Sequence, residues 1–340
     1  MELKSKAHDK PEADIEIETP DSDDTTKDSK DTIIERRISD SFGTEVPYKF
    51  LVLDSTDKWP VAGNFSSHYD MPVLGSNSSI RFNLTGISLK EWESIEADNV
   101  IPAQQEGQDD KEYESERDSV VLKKEVAIFE KAIGQSIPGK KAEEKIDWLK
   151  QRNPGEIEAL FRYIQNDLCN MRNGSMIDSY NLALEHGKAN EKEIRDFSNF
   201  EDWQTATTSQ YTFRMQRPYE DYIIEVPLRG LSQELKKDID AQTKDPEPPK
   251  MPHRDPKTNR FDPMDMRPNF SDPAWLRSSR AVNQKRTAMY MDACLMFDIP
   301  GSNWQEKYNW LADRLTGDVI NIKNFIENDL VGFRSRYDFF

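Results

Sequence analysis

The sequence predicts a helix-rich α+β protein: two tandem homologous units, each a small β-hairpin or strand region followed by a helical tail, behind a disordered acidic N-terminus. Three observations carry that expectation. One is a gap-free internal repeat, another is period-two apolar alternation upstream of each copy, and the third is the uneven placement of acid in a 340-residue chain of formal net charge −17.

The repeat sets the organisation, because self-similarity at a fixed offset marks a repeated structural unit. Residues 137–168 (IPGKKAEEKIDWLKQRNPGEIEALFRYIQNDL) align without a gap on residues 299–330 (IPGSNWQEKYNWLADRLTGDVINIKNFIENDL), and 13 of 32 positions are identical. Upstream, IRFNLTGISLKEWESIEA (80–97) parallels IEVPLRGLSQELKKDIDA (224–241) at an offset of 144 rather than 162. The missing 18 residues fall between strand and helices, where the acidic 98–118 faces the longer, Pro-rich 242–273. Both segments read as loops, which tolerate such length changes.

Each copy then reads as strand, short helix, variable loop and helical tail. Ile80, Phe82 and Leu84, like Ile224, Val226 and Leu228, alternate as a half-buried strand does. Pro227 points to an edge position for the second of these strands, since proline cannot donate to a ladder. Ser88 and Ser232 stand where an N-cap opens a helix. Further helices are predicted at 113–134, 140–151 and from Pro154, the last opened by Asn153-Pro154-Gly155-Glu156. In the second copy Thr316 supplies the capping hydroxyl instead. Ile157, Leu160, Phe161, Ile164 and Leu168 recur at helical spacing, as do Val319, Ile322, Ile326 and Leu330, and these stripes read as core. Trp148 and Trp310 read as equivalent core anchors. The repeated Ile-Pro-Gly reads as a helix stop and turn, and the repeated Glu-Lys as an exposed helical face. Strands are also expected at 48–54, 73–75, 210–215 and 222–228, the last two joined through Pro218, and a helix at 170–187.

Four segments follow: a disordered acidic tail (1–46), repeat unit 1 (47–168), a helical connector (169–207) and repeat unit 2 (208–340). The tail holds 14 Asp+Glu against 7 Lys+Arg and little apolar surface to offset its ordering entropy. No basic stripe accompanies this acidity, so nucleic-acid binding lacks its electrostatic footprint. No run approaches the length of a transmembrane helix, and the start, MELKSKAHDKPEADIEIE, lacks the apolar stretch of a signal peptide. Cys169 and Cys294 cannot form a disulfide framework and occupy non-equivalent places in the repeat. Four histidines leave little material for His-based catalysis or zinc. GxGxxG, Walker A, GxSxG and CxxC patterns are missing. No catalytic, cofactor-binding or metal residue is named, and the chain is expected to be non-enzymatic.

The order of strands, charged loop and a helical tail ending in PGEIEALFRYI resembles the tail assembly chaperones of tailed bacteriophages. The resemblance covers Gly86–Leu168 and again Gly230–Leu330. It departs from the family's pattern, whose members are generally shorter and carry a single unit. It implies a protein of the host cytoplasm, without catalytic residues or cofactor, that binds hydrophobic surfaces of a tail component or tape measure before assembly. A virion structural or adaptor protein is the alternative, and an enzyme of unknown chemistry a third. Partner-binding candidates come from asymmetry between the copies: Trp304 replaces Ala142, Tyr308 replaces Ile146, and the C-terminus adds Tyr337, Phe339 and Phe340. Aromatic residues dominate interface energetics, although packing of these rings onto their own domain is the competing reading.

Overall fold

The alternating segments do become strands, and they pair in a pattern that mixes the two expected units. The structure, a computed structural model, describes residues 33–39, 45–72, 78–105, 108–171, 205, 210–217, 220–254 and 261–330. Ile33–Ser39 (β1) pairs antiparallel with Glu45–Val52 (β2). Two short 3-10 turns follow at Thr56–Lys58 and Ala62–Asn64. Ser66–Pro72 (β3) then pairs antiparallel with Ser79–Thr85 (β4), setting Tyr69 opposite Phe82 and Met71 opposite Ile80. Four helical segments come next: Leu89–Asp98 (α1), Asp110–Ile133 (α2), Ala142–Lys150 (α3) and Pro154–Arg162 (α4). The last of them runs on as a π-helical turn, Tyr163–Leu168.

The same order recurs from Gln210. Gln210–Met215 (β5) pairs antiparallel with Ile223–Arg229 (β6), setting Phe213 opposite Val226 and Met215 opposite Ile224. Gln233–Gln242 (α5) follows, then the hairpin Lys250–Arg254 (β7) with Phe261–Pro268 (β8). Pro273–Cys294 (α6), Trp304–Ala312 (α7), Thr316–Phe325 (α8) and a π-helical turn, Ile326–Leu330, complete it. The strand registers agree at the 144-residue offset. The 162-residue offset reaches back beyond the aligned window: Val126, Ile128, Phe129 and Ala132 are the buried residues of α2, and Ala288, Tyr290, Met291 and Cys294 are buried in α6. We refer to Ser66–Leu168 as the first array and Gln210–Leu330 as the second.

Local chemistry explains most boundaries. Ser88 makes a reciprocal capping box with Glu91, and the Ser232 side chain accepts from the Leu235 amide. Asn153 accepts from the Gly155 amide ahead of Pro154. Gly134 closes α2 in the left-handed conformation, at φ 70°. Gly139 and Gly301 of the two Ile-Pro-Gly turns lie at φ 135° and 130°, where a Cβ would be forced against Glu144 and Glu306. The repeated Glu-Lys pairs tie these turns down rather than merely facing solvent. Glu144 accepts from the Lys140 amide and Glu306 from the Ser302 amide, each at 2.7 Å. Lys145 reaches back to Glu130 on α2 and Lys307 to Asp292 on α6.

Several expectations need correction. Residues 33–39 of the supposed tail form β1, because Ile33–Ser39 finds a ladder along β2; residues 1–32 lie outside the described ones. β2 does not join the sheet of its own array. It pairs parallel with β6, giving the order β1-β2-β6-β5, while β3 and β4 form a separate two-stranded sheet. Pro227 therefore sits in a central strand, tolerated because β2 covers β6 only from Ile223 to Glu225 and is gone before the proline. The acidic 98–118 is helical from Asp110, whose Asp109 cap and acidic first turn suit a helix N-terminus. The Pro-rich 242–273 contains the β7–β8 hairpin. Thr316 caps nothing: Leu315 is the N-cap residue, and the Thr316 hydroxyl donates to the Ile87 carbonyl. The expected strand at 73–75, Pro218 and nearly all of the 169–207 connector lie outside the described residues. Asn170, which is described, sits at φ 55° rather than in a helix.

Two cores result. One lies under α2–α4 and takes Leu84, Ile87, Trp92, Phe129, Ile146 and Ile164. The other lies under α6–α8 and takes Phe213, Ile224, Met291, Leu311 and Ile322, together with Leu51, Leu53 and Trp59 from the β2 segment. The start of α8 joins the arrays. Ala62, Leu89 and Thr316 make backbone bonds across this seam, and the Gly317 amide donates to the Cys169 carbonyl at 2.9 Å. A Cβ on Gly317 would collide with the Asn170 backbone.

Candidate docking groove

Helices α2, α3 and α4 and the β3–β4 hairpin leave an open groove of about 350 Å³ in the first array, within the range of ligand-sized pockets. Its wall is mainly apolar: Met71, Phe82, Phe129, Ile137, Trp148 and Ile157 face it. The sequence places them there by simple rules. Met71 and Phe82 lie on neighbouring strands, Phe129 on the inner face of α2, and Ile137 just before the Pro-Gly turn that redirects the chain into α3. Trp148 follows one helical turn after Glu144, and its ring carries the Arg152 guanidinium 4.1 Å above the centroid, a cation–π contact.

The same wall exists in the second array and is closed. Met215, Val226, Met291, Ile299, Trp310 and Val319, at the corresponding offsets, all belong to or pack against the second core. Arg314 lies 4.0 Å over the Trp310 ring, as Arg152 lies over Trp148. The covering residues are Trp59, 1% exposed, and Phe297. Trp59 meets Trp310 edge-on at 5.7 Å and Phe297 at 6.5 Å. The first array has Gln135 where the second has Phe297, and Gln135 lies exposed at the rim of the groove. Packing outweighs polarity at Trp59, whose buried indole N–H has no hydrogen-bond partner among the described residues.

The two partner-binding candidates among the described residues, Trp304 and Tyr308, do not line this groove. Tyr308 is 6% exposed within the second core, so its ring is not offered to a partner. Burial, followed by the neighbouring Glu93 carboxylate, pushes its phenol pKa up. The reason is its place on the inward stripe of α7, where Ile146 stands in α3. Trp304, the first residue of α7, is half-buried against the same core. Tyr337, Phe339 and Phe340 lie outside the described residues. Trp148 and Trp310 are not fully interior anchors; each is half-buried with its arginine stacked on one face. Sequence reasoning passed over Arg152 and Arg314, although they are one of the identical pairs of the repeat. It also missed Trp59, which no local pattern marks.

Charge is buried at the seam between arrays. Arg217 and Asp318 are both fully enclosed and ion-paired. Arg217 also donates twice to Glu220, at 2.8 and 2.9 Å, and lies 4.1 Å over the Phe65 ring. The Asn170 amide donates to Asp318 at 3.1 Å. Burial raises the Glu220 pKa against the opposing pull of Arg217. Cys169 and Cys294 are buried thiols, each pushed up to about 12 by desolvation, which makes them inert rather than nucleophilic. Among the described residues, no group of three or more His, Cys, Asp or Glu side chains is placed to hold a metal ion. No helix among them is long and apolar enough to cross a membrane.

Comparison with protein-family models, with curated proteins and with solved structures finds no match for this chain.

Proposed function

We propose that the two arrays descend from one internal duplication, and that the protein is a non-enzymatic bacteriophage assembly protein acting in the host cytoplasm. In this reading it resembles a tail assembly chaperone and holds an apolar segment of a tail component or tape measure before assembly. The 13 identities between residues 137–168 and 299–330 support the duplication, as do the matching strand registers. The assembly role is supported by the resemblance carried by the PGEIEALFRYI tail. The observation that carries the function is the open apolar groove beside Trp148, a wall of the kind that the second array seals with its own chain. An exposed concave apolar wall marks a binding site.

Quantitative mass spectrometry of an infected lysate and of the particles purified from it tests the role. A chaperone of this kind is abundant in the lysate and missing from the particles. Stoichiometric retention in the particles would replace this reading with the structural or adaptor one.

A further inference from the structure

We propose that the Trp148 groove receives an extended segment of a partner protein, which lies parallel to β4 along its open edge and then delivers an aromatic side chain, by preference tryptophan, against Trp148. The inference rests on the docking reading above and specifies the occupant of that same site.

The second array displays the arrangement from within one chain. β6 has β5 antiparallel on one side and β2 parallel on the other. β3 stands to β4 in the register that β5 keeps with β6, so the edge of β4 away from β3 corresponds to the edge of β6 that β2 covers. Among the described residues, β4 has β3 as its sole ladder partner. The difference shows at equivalent side chains: Ile224, opposite Leu51 of β2, is 0% exposed, whereas Ile80 is 50% exposed. An uncovered edge presents backbone groups that an added strand can pair.

After pairing, the β2 chain buries Leu51 and Leu53 in the second core, turns at Thr56–Lys58, and seats Trp59 on Trp310 and Phe297. The groove beside Trp148 carries on its wall the counterparts of the two residues on which Trp59 is seated, Trp148 for Trp310 and Gln135 for Phe297. Its recognition chemistry is therefore an apolar residue opposite Ile80, a second one two residues later, and a tryptophan about six residues beyond that, on the spacing of Leu51, Leu53 and Trp59.

Charge argues for a partner rather than for this chain's own β1–β2 hairpin in a second copy. In the second array Glu225 is clamped between Arg36 of β1 and Arg214 of β5. The first array reverses these signs: Arg81 stands at the place of Glu225 and pairs with Asp70, at the place of Arg214. An incoming hairpin carrying Arg36 would set that arginine against Arg81, and like charges at such a pairing are unfavourable.

The test uses the full chain and a fluorescently labelled peptide of residues 45–62, which carries the strand and Trp59 but not Arg36. Anisotropy titration should show saturable binding, weakened at least tenfold by Trp59→Ala in the peptide. In the protein, Gln135→Phe, which supplies at the rim the ring on which Trp59 packs in the second array, should tighten peptide binding about two- to tenfold while leaving the protein folded. Hydrogen exchange should show new protection of the β4 amides on binding. No binding to the folded full chain overturns the proposal, and so does binding indifferent to both substitutions. Binding without β4 protection overturns the strand-pairing geometry. Protection already present in the free chain at the Arg81 and Asn83 amides, which face away from β3 as Glu225 faces β2, would mean that the chain itself occupies the edge, which also overturns it. A negative peptide result alongside a protein confined to the lysate removes this inference alone. A protein retained in particles removes the chaperone reading whatever the peptide does.

Discussion

The Tyr69 ring packs on the Tyr163 ring at a centroid distance of 5.0 Å and an interplanar angle of 36°. In the second array Phe213 packs on Phe325 at 5.1 Å and 42°. Each pair joins the first strand of a hairpin to the end of the last long helix, closing the array between its first and last elements. Aromatic pairs of this kind contribute about 0.5–1.5 kcal/mol beyond the area they bury, enough to make hairpin and helical tail depend on one another.

The two tryptophans of the repeat should separate in energy. Trp310 is covered by Trp59 and Phe297, so Trp310→Ala is expected to cost about 3–5 kcal/mol, the range for emptying a packed aromatic site. Trp148 borders the open groove, and Trp148→Ala is expected to cost about 1–2 kcal/mol because less buried surface is lost. Urea denaturation of both variants measures the difference. Equal losses would mean that the groove is closed in solution.

Replacing the turn glycines should be harmful in both arrays and worse in the second. A Cβ on Gly301 would come within 2.6 Å of the Glu306 Cβ, against 2.9 Å between Gly139 and Glu144. Both residues have φ values that L side chains rarely adopt, at a cost of about 1–3 kcal/mol. Thermal melts of Gly139→Ala and Gly301→Ala should rank the latter lower.

Removing the buried arginine should cost more than removing either carboxylate. Arg217 faces Asp318 and Glu220 together, so Arg217→Met strands two carboxylates, whereas Asp318→Asn leaves Glu220 paired. Breaking a buried ion pair from one side costs about 3–5 kcal/mol. Denaturant midpoints should fall further for Arg217→Met than for Asp318→Asn.

Glu125 gives a pH signature. Burial, followed by the nearby Glu158 carboxylate, raises its pKa above the usual glutamate range. The folded chain thus keeps this proton to higher pH than the unfolded chain, where glutamate titrates near about 4.3. Its contribution to stability therefore declines as pH rises from that value through the folded pKa. Glu125→Gln should melt higher than the wild type at neutral pH and level with it in acid below the unfolded value. A constant offset at every pH would assign the effect to packing.

Local chemistry and periodicity were sufficient for much of this molecule. Ser88, Asn153 and Ser232 cap helices because their side-chain oxygens reach amides in the first turn, a geometry set within four residues. The Pro-Gly turns and the stripes of α4 and α8 follow in the same way from backbone freedom and the helical period. The α+β class was legible for that reason, as was the correspondence of residues 137–168 with 299–330. Tertiary structure alone decided which strand lies beside which. β2 leaves the array it precedes and pairs with β6, some 170 residues away, because the surface that rewards Leu51, Leu53 and Trp59 exists only once α6, α7 and α8 have assembled. Arg217 and Asp318 read as two unremarked charges until folding excludes water from both. The groove beside Trp148 is likewise invisible in the chain, since its lining residues match those of a filled core and differ in what covers them. Residue type and spacing set what each segment can form; the partner that removes its apolar face from water is chosen only in three dimensions.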